Sequence, residues 1–155
     1  MRISMRKALI VGINYYEHVS HLFGCVKDAY AVKEVLERDE DGTLNFDVKL
    51  LSSTGPTNSI LRSELKENIK DLFAGDCDTA LFYFSGHGHI ETTGGYLVAS
   101  DAKTGDDGIP LAEVLALANQ SAARNRVIIL DSCFSGIAGA TASDPTNSEL
   151  KEGTT

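Results

Sequence analysis

The chain has 155 residues, a length typical of one domain, and 43% of them are hydrophobic, which is enough for a core. Its formal net charge is −8, with 22 acidic against 14 basic residues. This surplus argues against nonspecific binding to nucleic acid or to an anionic membrane, because both require a basic patch. It mildly favours a basic substrate, although an acidic surplus also serves solubility.

No stretch has the apolar length of a membrane helix, and the apolar run Ala8–Ile13 is too short for a secretory signal. We therefore expect a cytoplasmic protein. The three cysteines, Cys25, Cys77 and Cys133, are odd in number and widely spaced. This pattern predicts neither a disulfide framework nor a CxxC metal knuckle.

The first third of the chain predicts a strand, a loop, a helix and a second strand. The apolar segment Lys7–Ile13 is typical of a central strand, and a loop follows over Asn14–Phe23. Cys25–Arg38 has apolar residues at helical spacing. Apolar and charged residues alternate over Phe46–Leu50, which predicts a strand nearer an edge of the sheet.

The middle of the chain predicts a helix, a strand and a hairpin. Thr57 or Asn58 can cap a helix that runs to about Phe73. The apolar segment Ala80–Phe84 predicts a buried strand that runs directly into Ser85–Gly88, a segment that could also be only a turn. Gly94 and its following glycine, between two short segments, indicate a hairpin.

The last third predicts a helix, a buried strand and an unpatterned tail. Pro110 fits the first turn of the helix. Val127–Leu130 predicts a strand buried on both faces. The predicted buried face of the helix consists of Leu111, Val114, Leu115 and Ala118. Strands that alternate with helices predict an α/β fold, a mostly parallel sheet with helices on both faces. We count four main strands, three helices and one hairpin.

Two of these strands run directly into residues that could carry chemistry. His87 follows the strand Ala80–Phe84, and Cys133 follows the strand Val127–Leu130. Parallel neighbours would bring both to one edge of the sheet, where open α/β sheets place their sites. Cys133 could then act as a nucleophile with His87 as its proton acceptor. The N–H groups of Gly88 and Cys133 are candidate oxyanion donors, and the glycines beside His87 predict a tight turn there.

Each residue also has a plainer interpretation. A lone cysteine is usually a packed core thiol, although Cys133 has Asp, Ser and Gly as neighbours, which is a poor core environment. A zinc site of His87, His89 and Cys133 would lack the usual fourth ligand and spacing. The pairing of two strand ends favours catalysis over these alternatives, and we expect no metal site.

Three segments resemble the caspase-like cysteine peptidases, which include caspases, metacaspases and their bacterial relatives. The segments are Leu22–Ala29 (LFGCVKDA), Tyr83–Gly88 (YFSGHG) and Asp131–Gly136 (DSCFSG). The resemblance implies a caspase-type three-layer α/β sandwich and a cysteine endopeptidase that acts on proteins through the dyad of His87 and Cys133. In metacaspases the pocket for the residue before the cut (P1) is acidic, which implies cleavage after Arg or Lys. Its positions match Cys25, Asp28, Ser85 and Asp131.

We expect no cofactor, and no absolute requirement for calcium, because the chain departs here from the metacaspase pattern. Metacaspases place an acidic pair for calcium where this chain has Pro110 and Leu111. Asp101, Asp106 and Asp107 are nevertheless close in sequence, and hard cations bind clustered carboxylates.

The resemblance also implies that the fold is incomplete without further strands of a small subunit. We predict a catalytic large-subunit domain over residues 1–137 and a flexible tail or intersubunit linker over residues 138–155. The expected partner is a C-terminal fragment of the same precursor, and Lys151 is a candidate processing site. A non-catalytic caspase-like adaptor and another thiol hydrolase are the rival functions.

Overall fold

A computed structural model describes residues 5–133 of the chain, with Asp106 and Cys133 described by their backbone alone. The predicted domain end at residue 137 and the tail at 138–155 lie outside the described residues. The elements are β1 (Arg6–Ile13), α1 (Cys25–Glu37), β2 (Asp47–Ser53), α2 (Arg62–Ala74), β3 (Thr79–Glu91), β4 (Gly94–Leu97), β5 (Ile109–Pro110), α3 (Leu111–Asn119) and β6 (Asn125–Cys133).

Four parallel strands form the main sheet in the order β2-β1-β3-β6. The predicted set of four main strands, three helices and one hairpin is confirmed. β1 and β3 are central, which agrees with their nearly continuous apolar sequences. β2 lies at the edge beyond β1, as its alternating pattern predicted.

Helices cover both faces of this sheet, as predicted. On one face α1 packs over Ala8 and Ile10 of β1 and Leu81 of β3. On the other face α2 and α3 enclose the larger core, in which Val11 and Phe84 are buried. The side chains of successive strand residues alternate between these two faces.

β3 is longer than the sequence predicted, and it belongs to two ladders. It continues past Phe84 to Glu91 without a turn, and its last four residues pair antiparallel with β4. The predicted tight turn at the glycines beside His87 is therefore wrong, because the ladder with β4 keeps the backbone extended. The predicted hairpin is confirmed, and Gly94 has a φ of 125°, which favours glycine.

Two details of the helices also differ from the prediction. α2 begins at Arg62, because Pro56–Asn58 forms a separate 3-10 turn. The Asn58 side chain accepts the N–H groups of Thr54 and Gly55, so it stabilises that turn and does not cap α2. In α3, Leu115 is 53% exposed and does not belong to the buried face, which Val114 and Ala118 form.

β6 is an edge strand in the described part of the chain. It pairs with β3 on one side, and no described strand pairs with its other side. The prediction that Val127–Leu130 is buried on both faces is wrong for this part of the chain, since Ile129 is 42% exposed. No helix within residues 5–133 is long and apolar enough to cross a membrane.

Candidate active site

The parallel register of β3 and β6 places His87 beside Cys133. The two strands pair residue by residue from Thr79 with Asn125 to His87 with Cys133. Paired strands lie about 4.8 Å apart, so the backbone positions of the two residues are immediate neighbours. The expectation that both residues reach one edge of one sheet is confirmed.

The imidazole of His87 is held in one orientation by a backbone carbonyl. The side chain is 1% exposed, and Nε2 lies 2.7 Å from the carbonyl oxygen of Ser20. Because a carbonyl oxygen can only accept a hydrogen bond, Nε2 carries the proton in the neutral ring. Nδ1 is buried and has no hydrogen-bond partner among the described residues, so its lone pair is available to accept a proton.

Burial also determines the charge of His87. Desolvation lowers its pKa below the usual value for histidine, and the Ser20 carbonyl opposes this effect only in part. The imidazole is therefore neutral at neutral pH, with the proton on Nε2. A neutral ring whose Nδ1 lone pair has no hydrogen-bond partner among the described residues is the form that can act as a general base.

Tyr16 holds the backbone of His87 in position. The sequence analysis did not identify this residue as part of the site. Its hydroxyl accepts the backbone N–H of His87 at 2.8 Å and donates to the carbonyl of Val98 at 3.1 Å. Its ring lies 4.6 Å from the imidazole, between centroids. A Cβ on Gly86 would lie 2.7 Å from the Tyr16 hydroxyl, so glycine is required here for close approach.

A second group of residues gathers on the α1 side of the sheet, next to the His87 end of β3. The start of α1 is fixed by Asn14, whose Oδ1 accepts the N–H groups of Cys25 and Val26 at 3.0 and 3.2 Å. Gly12 allows this close packing, because a Cβ there would lie 2.6 Å from the Cys25 carbonyl oxygen. The thiol of Cys25 is thereby brought over the ends of the strands.

The four residues predicted to form the P1 pocket are brought together. Ser85 and Asp131 are register partners on β3 and β6. The Ser85 hydroxyl interacts with the Cys25 thiol, and the charges of Asp28 and Asp131 both act on that thiol. Ser85 is buried, Cys25 is half-buried, and the two aspartates are exposed. The group therefore has a neutral floor and an acidic rim.

Tyr83 is a further member of this group that the sequence reasoning did not assign to it. Its hydroxyl donates to Oδ2 of Asp131 at 3.0 Å. Burial, followed by the hydrogen bond and the charge of Asp131, raises the pKa of Tyr83 to about 12. Burial first, and then the charges of Asp28 and Asp131, raise the pKa of Cys25. Both groups stay protonated, so the negative charge of this group of residues comes from the aspartates.

Comparison with known proteins identifies the family. Residues 5–154 match the family described as the caspase domain. The chain belongs to the caspase-domain family. It is 31% identical over 91 residues to Metacaspase-9 of Arabidopsis thaliana, which covers 56% of this chain and 28% of that protein.

Two other metacaspases match a similar region. Metacaspase-7 of Arabidopsis thaliana is 35% identical over 88 residues, and Metacaspase-1A of Aspergillus terreus is 32% identical over 88 residues. Each alignment covers 54% of this chain and 21% of the relative. The aligned part of this caspase-domain chain thus spans about a fifth of the length of these two relatives.

The carboxylates considered for calcium serve other contacts. Asp101 accepts the backbone N–H of Arg62, and Asp107 accepts those of Lys103 and Thr104. Arg62 and Lys103 line the same cleft as these two aspartates. The side chain of Asp106 lies outside the described part. Among the side chains that are described, no three His, Cys, Asp or Glu are grouped to hold a metal ion.

The lowered pKa of His87 predicts a pH-dependent stability. The unfolded chain, with a histidine pKa of about 6.5, binds more protons than the folded chain below that pH. The stabilisation is fully present above about pH 7 and is lost as the pH falls towards the folded-state pKa. His87→Gln should therefore reduce the loss of unfolding free energy between pH 7 and 5, as measured by urea denaturation.

His18→Gln is the matched control, since His18 is an exposed histidine next to Glu17. This variant should keep the pH dependence of the parent protein. If the unfolding free energies of the parent and of His87→Gln decreased equally between pH 7 and 5, His87 would not be held neutral by burial.

Proposed function

We propose that this protein is a cysteine endopeptidase in which Cys133 is the nucleophile and His87 accepts the proton of its thiol. The observation that carries the proposal is the β3–β6 register, which makes His87 and Cys133 backbone neighbours. The unpartnered Nδ1 of His87 supports it, because this atom can accept the thiol proton. Membership of the caspase-domain family supports the same chemistry.

The proposed reaction has two stages. The Cys133 thiol transfers its proton to Nδ1 of His87 and attacks the scissile carbonyl carbon, which gives a tetrahedral oxyanion. We assign the stabilisation of this oxyanion to the N–H groups of Gly88 and Cys133. The imidazolium then protonates the leaving amine, and water hydrolyses the thioester with His87 again as the base. The hydrogen bond from Nε2 to Ser20 keeps the same nitrogen facing the reaction throughout.

The substrate residue before the cut is proposed to be Arg or Lys. Asp28 and Asp131 form the acidic rim of the pocket, and Cys25 and Ser85 contribute neutral groups to it. A guanidinium or ammonium would form charge-assisted hydrogen bonds with these carboxylates. The neutral form of Cys25 leaves no thiolate to compete for the cation.

Replacing the proposed nucleophile should remove the activity and leave the protein folded. Cys133→Ala should lower kcat/KM on a fluorogenic P1 Arg peptide by at least about a thousandfold, because the covalent route is removed. His87→Ala should have a comparable effect. Thermal unfolding of both variants is measured alongside to show that they are folded.

Cys77→Ala is the matched thiol control, because Cys77 is buried in the core on the other side of the sheet from the pocket. It should remain active. Full activity of Cys133→Ala would point to an adaptor or to another hydrolase mechanism.

Calcium should not be required for activity. The parent protein is assayed with and without a calcium chelator, and equal rates are expected because the Asp101 and Asp107 carboxylates already accept backbone hydrogen bonds.

The acidic rim predicts a defined specificity. Asp28→Asn and Asp131→Asn should each lower kcat/KM on P1 Arg peptides about tenfold or more, since each removes one charged acceptor. Peptides with neutral P1 residues should be affected little. Asp47→Asn, at an exposed acid on β2, is the control. Better cleavage after Asp than after Arg would contradict this specificity.

A C-terminal fragment of the same precursor is proposed to complete the sheet as a small subunit. In the described part of the chain one edge of β6 has no partner strand and Ile129 is exposed, which supports this proposal because natural proteins cover apolar strand edges. A tail around Lys151 would then be the linker, cut by a peptidase that accepts basic residues. The partner is thus a product of the same activity.

Purification of the natural protein should therefore yield a second polypeptide that elutes with this chain. Intact mass spectrometry should identify it as a segment that follows residue 151 in the precursor. Ile129→Lys should weaken the association, while Leu115→Lys, at an exposed leucine of α3, should not. A fully active monomer of 16.6 kDa without a second chain would contradict the split architecture.

A further inference from the structure

Tyr83 is the buried residue that reaches the acidic rim from below. It lies in the middle of β3 and is 4% exposed, with its ring in the apolar cluster under α1. Its hydroxyl leaves this cluster and donates to Oδ2 of Asp131, 48 positions later in the chain. A core phenylalanine would fill the same space, so the hydroxyl requires a separate explanation.

The Tyr83 hydroxyl can donate a hydrogen bond at any pH near neutrality. Burial and then Asp131 raise its pKa to about 12, so the hydroxyl keeps its proton. The Ser85 hydroxyl, two residues along β3, also interacts with the Tyr83 hydroxyl. Hydrogen bonds to an ionised carboxylate are about twice as strong as neutral ones.

This hydrogen bond determines how Asp131 can meet a ligand. One carboxylate oxygen accepts the Tyr83 hydroxyl, which restrains the rotation of an otherwise exposed side chain, so that the other oxygen would be the one to bind a substrate. Asp28 supplies the second acceptor of the rim. A guanidinium presents its donors in a rigid planar fork, so its binding depends on the orientation of its acceptors. An ammonium on a flexible stem depends on that orientation much less.

We infer that Tyr83 is a specificity-determining residue that favours Arg over Lys before the cut by orienting the Asp131 carboxylate. The inference rests on the proposed function and deepens it, since it assigns the choice between two basic residues to one buried hydroxyl. Tyr83 acts through Asp131 and has no role in the bond-breaking step.

Tyr83→Phe tests this directly, because it keeps the ring in the core and removes only the hydroxyl. We expect kcat/KM to fall about tenfold on a P1 Arg peptide and less than threefold on the matched P1 Lys peptide. In an Asp131→Asn background the same substitution should change the Arg to Lys ratio by less than twofold, because the charged carboxylate that Tyr83 orients is gone. Tyr96→Phe, which removes a phenolic hydrogen bond at the hairpin, should leave kcat/KM unchanged on both peptides.

Equal losses on both peptides, no loss on either, or an undiminished effect in the Asp131→Asn background would each overturn the inference. A parent protein that cuts neither peptide would count against the proposed function alone. The pocket is then tested without catalysis by calorimetric binding of benzamidine and of butylamine. Tyr83→Phe should weaken benzamidine about tenfold and butylamine little, and unchanged or absent benzamidine binding would also overturn the inference.

Discussion

The parallel pairing of β3 with β6 is the constraint on which the site depends. It makes neighbours of His87 with Cys133 and, two residues earlier, of Ser85 with Asp131. A shift of one residue would send the side chains of β6 to the opposite face, so the register must be fixed. The apolar residues of β3 fix it, because the strand is buried on both faces from Ala80 to Gly88.

The strand β3 contributes to both the apolar core and the polar site. Its first half packs between α1 and α2, and its second half pairs with β4 and keeps His87 in a buried environment. Burial lowers the pKa of His87 and raises those of Cys25 and Tyr83. Desolvation disfavours the charged form of each group, so one cause keeps the His87 imidazole, the Cys25 thiol and the Tyr83 hydroxyl uncharged at neutral pH.

The two parts of the site use tyrosines in similar ways. Tyr16 holds the backbone of His87, and Tyr83 holds the carboxylate of Asp131. In both cases a buried ring provides rigidity and its hydroxyl supplies one directed hydrogen bond. The Gly86 position shows what this requires of the backbone, since a side chain there would collide with the Tyr16 hydroxyl. β6 differs from β3 in this respect, since in the described part of the chain it pairs on one side only and its Ile129 is exposed.

The sequence by itself determined the α/β alternation, the four main strands and the residues that meet at their ends. Those features depend on local patterns, such as the apolar run before Cys133 and the helical spacing after Cys25. Tertiary structure alone decided that β3 runs straight through His87, that Nδ1 is the free nitrogen, and that Tyr16 and Tyr83 belong to the site. The contacts of these tyrosines with His87 and Asp131 span 71 and 48 positions. Such contacts leave no local pattern, because they arise only when separate strands and loops pack against one another.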